Sequence, residues 1–199
     1  MISHLRGTLL EKHPNQIVID VQGVGYEVTI PVSAYSALPE LGSPVHMHIY
    51  QHVREDMLAL YGFLAKDDKA LFEKLIAVSG IGPKLAITAL SGLTTDDLVA
   101  AIRSGAVELL VRIPGVGKKT AERMILELRD KLGPAGTSLA GSGGLAKSAF
   151  EATEEDVISA LMNFGASRAS AEAALIKARS NSESNEFDAL FRLALKLVR

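Results

Sequence analysis

Over the first sixty or so residues apolar and polar positions alternate with period two. The segments "QIVIDV" (16–21), "GYEVTI" (25–30) and "HMHIYQHV" (46–53) are short, rich in β-branched residues and separated by Gly, Pro and Asn. This pattern predicts five or six short strands. So many strands in residues 1–63 make a small barrel, for which an OB-like Greek key is the commonest solution and an SH3-like barrel the alternative. From Lys66 the period becomes helical. In "DDKALFEKLIAV" (67–78), Leu71, Leu75 and Val78 recur on one face beside Phe72 and Ile76. A helix opening at Thr94 or Thr95 with Asp96 and Asp97 follows, then a short one over 106–112 and a long amphipathic one over 118–131. Residues 64–132 form an all-α region.

The segment "GPAGTSLAGSGGLAKSAFEA" (133–152) has no periodicity and reads as a flexible tether. A Gly/Ser-rich chain of that length spans on the order of 25 Å root mean square. Beyond it, 153–199 holds three short helical patterns, "TEEDVISALMNFG", "SRASAEAALIKA" and "SNEFDALFRLALKLV", each taken to open at Thr or Ser. They form a small UBA-like bundle whose apolar positions Leu161, Met162, Phe164, Leu190 and Leu193 are assigned mostly to its core on spacing grounds. The fold class is multidomain α+β.

One motif is written twice. "SGIGPKLAITAL" starts at Ser79 and "PGVGKKTAERMI" at Pro114, and without a gap Gly80 falls on Gly115, Gly82 on Gly117, Lys84 on Lys119 and Ala86 on Ala121. Each copy is a helix, a Gly-apolar-Gly turn and a second helix. The glycines permit positive φ and close approach of another backbone, while Ile81 or Val116 can plug the groove between the helices. The free N–H groups at the start of the second helix then point outward, which suits a phosphate. Lys84, Lys118 and Lys119 add charge beside them, and Arg123 is expected one turn on from Lys119 on the same face. The candidate phosphate-binding set is therefore Ser79, Gly80, Gly82, Lys84, Gly115, Gly117, Lys118, Lys119 and Arg123. Such a set reads nucleic-acid backbone and not base sequence.

Charge narrows the picture. The formal net charge is -2. Residues 1–63 carry 3 basic and 6 acidic side chains, 64–133 carry 11 and 9, and 134–199 carry 7 and 8, so only the part holding the repeat is net positive. With no cysteine, disulfides, thiolate zinc sites and iron–sulfur clusters are excluded. The amino terminus lacks an apolar signal core and no apolar run reaches the roughly eighteen residues of a membrane span, from which a cytoplasmic protein without membrane contact is expected. A nucleotide-hydrolase phosphate loop is also excluded. "RIPGVGKK" has Arg112 in place of its first glycine and Lys119 in place of its hydroxyl, and "GSGGLAKS" lacks the second glycine and a preceding strand. His46, His48 and His52 fall on one strand face, but without carboxylates or thiolates spaced to complete a cage no metal is expected.

Taken together, "GVGYEV", "REDMLALYGF", "SGIGPKLA" and "PGVGKKTAERMILEL" resemble the RuvA family, Holliday junction subunits of bacterial branch migration, through essentially all of residues 1–132. The tether and tail match mainly in layout. The resemblance implies a homotetramer, with an octamer sandwiching the junction left open, that holds a four-way DNA junction open and nearly planar. It implies recruitment of the hexameric RuvB ATPase by the tail, and extends to the RuvC resolvase. ATP and Mg belong to the motor, so this chain needs no cofactor and no catalytic residue of its own. An acidic pin at the tetramer centre maps onto Glu55 and Asp56 in "REDM". From the residues alone those acids are an ordinary charged hairpin turn.

Two rivals come from other classes. A base-excision glycosylase uses similar hairpins but needs a catalytic Asp soon after the hairpin helix, and here Asp130 reads as a helix-end surface residue. A general scaffold with a strand-binding barrel needs aromatic platforms, for which the barrel offers only Tyr26, Tyr35, Tyr50, Tyr61 and Phe63.

Overall fold

The computed structural model describes residues 1–132, 149–180 and 186–198. Most of the expected tether, 133–148, lies outside the described residues. Five strands close into a barrel: β1 (His4–His13), β2 (Gln16–Val21), β3 (Val24–Thr29), β4 (Pro44–Val53) and β5 (Leu58–Phe63), in the order β1-β2-β3-β5-β4. All neighbours are antiparallel except β3 and β5, which meet in parallel at Thr29 and Tyr61. A short helix α1 (Val32–Tyr35) joins β3 to β4. This is the OB-like solution. Its interior is lined by Leu5, Leu9, Ile17, Ile19, Val28, Ile30, Met47 and Ile49. Strand alternation turns these side chains inward and their neighbours outward.

The helical region follows as α2 (Lys66–Ile76), α3 (Pro83–Gly92), α4 (Thr95–Ser104), α5 (Val107–Leu110) and α6 (Lys118–Leu128). Thr94 caps α4, its Oγ1 accepting from the Asp97 N–H at 3.2 Å. The last helix of this set ends at Leu128 and not at Lys131, because the chain turns there with the Lys131 and Leu132 N–H groups both on the Leu128 carbonyl. The helices share one core, in which Phe72, Leu75, Leu98, Ile102, Leu110 and Met124 pack with Tyr61 and Phe63 of β5. Phe72 of α2 is its hub: the rings of Tyr50, Tyr61 and Phe63 lie 5.3, 5.3 and 5.0 Å from it. Barrel and helices are therefore joined by a continuous aromatic contact and form one compact unit.

The second unit holds α7 (Ala149–Asn163), α8 (Arg168–Ser180) and α9 (Phe187–Leu197) around Val157, Leu161, Leu175 and Leu190. Helix α7 begins four residues before Thr153, so 149–152 are helical and not tether. Of the expected hydroxyl openings, Ser167 caps α8, accepting from the Ser170 N–H at 3.2 Å. Helix α9 opens at Glu186 without a side-chain cap. Leu161 and Leu190 are buried and Leu193 partly so, but Met162 and Phe164 are exposed. A bundle this small has too little interior to cover them. Among the described residues no single helix is long and apolar enough to cross a membrane.

Candidate nucleic-acid interface

The two hairpins repeat in hydrogen bonding as in sequence. In the first, the N–H groups of Val78, Ile81 and Ala86 donate to the carbonyls of Leu75, Val78 and Gly82. In the second, Ile113, Val116 and Ala121 donate to Leu110, Ile113 and Gly117, the same bonds at equivalent positions. The plugging residues Ile81 and Val116 are buried, as are Ala86 and Ala121. Burial of these side chains and the shared bonds fix both turns in one shape.

Within each Gly-x-Gly the two glycines have different jobs. Gly80 and Gly115 have φ of +90° and +85°, the left-handed region that disfavours a side chain. Gly82 and Gly117 are extended N-caps of α3 and α6, with φ of -91° and -83°, and any residue adopts that conformation. A Cβ added at either meets no protein atom within 4 Å. Neither backbone strain nor internal packing therefore calls for glycine there. The space they leave is open to a ligand from outside.

The electrostatics of the helix starts agree. Helices α2 and α4 carry the usual acids in the first turn, Asp67 with Asp68 and Asp96 with Asp97. Helices α3 and α6 carry no acid there and have no side-chain cap on their N–H groups. Instead Lys84 stands in the first turn of α3, and Lys118 and Lys119 in that of α6, all exposed. Positive side chains beside a positive helix end oppose the helix dipole, an arrangement stabilised once an anion arrives.

Arg123 stands on α6 one turn on from Lys119, as its spacing suggested. Its guanidinium also reaches across to the first hairpin, donating to the Ser79 carbonyl at 3.4 Å and lying 3.5 Å from the Ser79 hydroxyl. In return Leu85 of α3 comes against Gly115, where an added Cβ would be 3.1 Å from its Cδ1. Each hairpin is thus braced by a helix belonging to the other. Ser79 and Arg123 share one site, and local sequence spacing holds no signal of this because the contact is tertiary.

Glu55 and Asp56 occupy the two-residue turn between β4 and β5, closed by the Arg54 N–H on the Met57 carbonyl at 2.8 Å. Both are exposed, and so are Val53, Met57 and Leu58 around them. The apolar neighbours went unremarked in the sequence, although Val53 continues the inward-facing set of β4 beyond the barrel. On the same hairpin the Arg54 Nε donates to His52 Nε2 at 3.1 Å.

His52 does not join His46 and His48; its ring lies among Tyr50 and Tyr61. His4 of β1 takes that place, 5.7 Å from His46, which is 5.1 Å from His48. Burial first, then His46, Lys69, Lys66 and His4, hold the His48 pKa below the usual imidazole value. No group of three metal-ligating side chains occurs among the described residues. Of the barrel aromatics, Tyr50, Tyr61 and Phe63 pack against Phe72 of α2. Asp130 is an exposed turn residue after α6.

Comparison with known proteins agrees with this architecture. Residues 1–62 match the model of the RuvA N terminal domain and 72–130 that of the SAM-like helix-hairpin-helix tandem. Among curated proteins the chain is 59% identical over 199 residues to one from Solibacter usitatus, covering all of both chains. It is 49% identical over 201 residues to one from Acidobacterium capsulatum, again covering all of both. A relative from Pseudomonas entomophila is 43% identical over 203 residues, with 98% of each chain covered. Each relative is named Holliday junction branch migration complex subunit RuvA.

Proposed function

Because the chain belongs to the RuvA family, we propose that it is the DNA-binding subunit of a branch migration complex and grips four-way junctions by their phosphates. The observation that carries this is the repeated start of α3 and α6: open glycine caps, free helix amides and lysines at the positive helix end. Each hairpin alone is a weak clamp blind to sequence. Four copies in a ring bring eight hairpins to the junction, two per arm, and clamps on one frame act at high effective concentration on the geometry that engages all of them. Junction shape is selected in this way without reading bases.

In that ring the exposed Glu55 and Asp56 face the crossover. Carboxylates there repel phosphates and oppose a stacked junction, and screening within about 8 to 10 Å keeps the effect local. The chain has no catalytic task in this reading, and ATP hydrolysis with Mg belongs to the partner RuvB, recruited by the α7–α9 unit. Tetramer, octamer, contact with RuvC and a cytoplasmic setting belong to the same reading.

The test is competition between a synthetic four-way junction and linear duplex of equal total length, in magnesium and moderate salt. Strong preference for the junction is expected. Equal binding would leave the hairpins as general phosphate grips and end the junction assignment.

A further inference from the structure

A cleft of about 810 Å³ lies between the barrel, the flank of α2 and the end of α6, and none of the hairpin glycines or lysines lines it. Register sets its barrel wall. His4 pairs with His48 across β1 and β4, and Leu5, Met47 and Ile49 belong to the barrel interior, so alternation turns His4, His46 and His48 outward together. Helix α2 supplies Lys66, Lys69 and Lys74 across the cleft, and Lys131 comes from the turn after α6. Both helical walls are held firmly. Leu71 and Leu75 of α2 and Leu128 of α6 are buried in the shared core, and the Lys74 Nζ donates to the Lys131 carbonyl at 2.9 Å. Between the cations the floor is aliphatic, made by Ala70, Ala77, Val78 and Leu128.

The balance of charge indicates the ligand. Four lysines and three imidazoles share this lining with two carboxylates, Glu73 and Glu127. Glu73 is held by Lys69 at 3.7 Å, whereas Lys66, Lys74 and Lys131 form no ion pair among the described residues. The crowding of positive groups is felt at His48, whose pKa is lowered by burial and then by His46, Lys69, Lys66 and His4. A concave wall of one sign concentrates counter-ions. Clefts of roughly 300–1,000 Å³ with an apolar floor and a few convergent polar groups are the usual form of a small-molecule site. The cations suit phosphate groups, and the aliphatic floor suits a flat uncharged ring. An inorganic anion would use the first and leave the second wet, so the ligand chemistry that uses both is a nucleotide.

We propose that this cleft binds a free nucleoside polyphosphate, with the phosphates between the α2 lysines and the barrel histidines and the base on the aliphatic floor. The site is separate from the hairpins and does not depend on the junction reading. A bound nucleotide ties the barrel to α2 and α6 from outside, as the Phe72 rings do from within. Its negative charge also offsets the cations around His48 and favours the protonated imidazole, so binding takes up a proton.

The experiment titrates the full chain with fluorescent methylanthraniloyl-ADP and competes it with unlabelled ADP, adenosine and inorganic pyrophosphate. ADP should compete at least about tenfold better than either part of it alone, because only the whole ligand fills both halves of the cleft. Absence of probe binding, or pyrophosphate competing as well as ADP, overturns the proposal. Lys66→Gln with Lys69→Gln, changes that suit a helix, should weaken the probe about tenfold or more through loss of charge-assisted contacts. Replacing Lys84, Lys118 and Lys119 with Ala should leave probe affinity within about twofold, since those lysines stand at the other phosphate sites. The reverse pattern would put the probe on the hairpins and overturn the cleft. Wild-type binding should tighten from about pH 8 to about pH 7, and less so in His48→Gln; equal profiles overturn the placing of the phosphates beside the histidines. A changed assembly of the glutamine variant in sedimentation would make the cleft a contact between copies. Displacement of the probe by a four-way junction, together with lost junction affinity in that variant, would make it part of the DNA grip. Either result equally overturns the nucleotide site.

Discussion

Gly80 and Gly82 are two positions apart and respond to the same substitution in opposite ways. Gly80→Ala, or Gly115→Ala, forces a side chain into left-handed backbone and should cost about 1–2 kcal/mol in urea unfolding. Gly82→Ala or Gly117→Ala should cost under about 1 kcal/mol, since only the cap preference changes, yet lower DNA affinity by placing a methyl group in the phosphate's path. Replacing Lys84, Lys118 and Lys119 with Ala should weaken binding to every DNA shape and flatten the dependence of log K on log salt by roughly one unit for each phosphate no longer neutralised. His48 adds a pH effect. Its lowered pKa means that the unfolded chain takes the proton more readily, so its contribution is complete above the ordinary value and is lost as pH falls through the folded one. Thermal unfolding followed from about pH 7 down to pH 5 should therefore show a milder acid loss in His48→Gln than in wild type. The repeated hairpin turns were legible at this scale because glycine and lysine at fixed offsets carry a local meaning. The division of labour within each Gly-x-Gly, and the reach of Arg123 to Ser79, depend on backbone angles and tertiary distance that spacing does not encode.

Helices and strands were legible wherever a hydrophobic period ran long enough to be unambiguous, as in β2, β4, α2 and α6. Boundaries failed where composition masked the period. Helix α7 starts inside an alanine- and serine-containing stretch that reads as tether, and α6 stops before Lys131 although its charge pattern continues. Exposure failed in the tail, where Met162 and Phe164 hold core-like spacing in a bundle with no interior left for them. Among the connections between elements, the aromatic contact at Phe72 has the clearest energetic consequence. Phe72→Ala removes a fully buried ring touched by three others and should cost about 3–5 kcal/mol, read from chemical denaturation. Thr94→Ala removes only the cap of α4 and should cost about 1 kcal/mol. The larger loss should also loosen the barrel against the hairpins, visible as faster amide exchange in both β5 and α3.

At the scale of the chain, the proposed function divides grip from recruitment between the two units. A chain ending at residue 132 keeps the whole of the first core and both hairpins. It should retain preference for four-way junctions while failing to stimulate branch migration by added RuvB. A fragment that loses junction preference as well would show that the α7–α9 unit takes part in the grip. The layout of barrel, repeat and tail was readable because each has its own periodicity. That Arg123 and Leu85 tie the hairpins to one another was not, because it depends on how the repeats pack. This cross-bracing matters once DNA is moving. A motor drawing duplex past a subunit exerts drag on each phosphate grip, and a grip on its own would swing with the strand. In the proposed complex, drag on one hairpin would pass through Arg123 to its twin, and from α2 through the Phe72 rings into the barrel. On that reading the subunit would meet the pull as a stator.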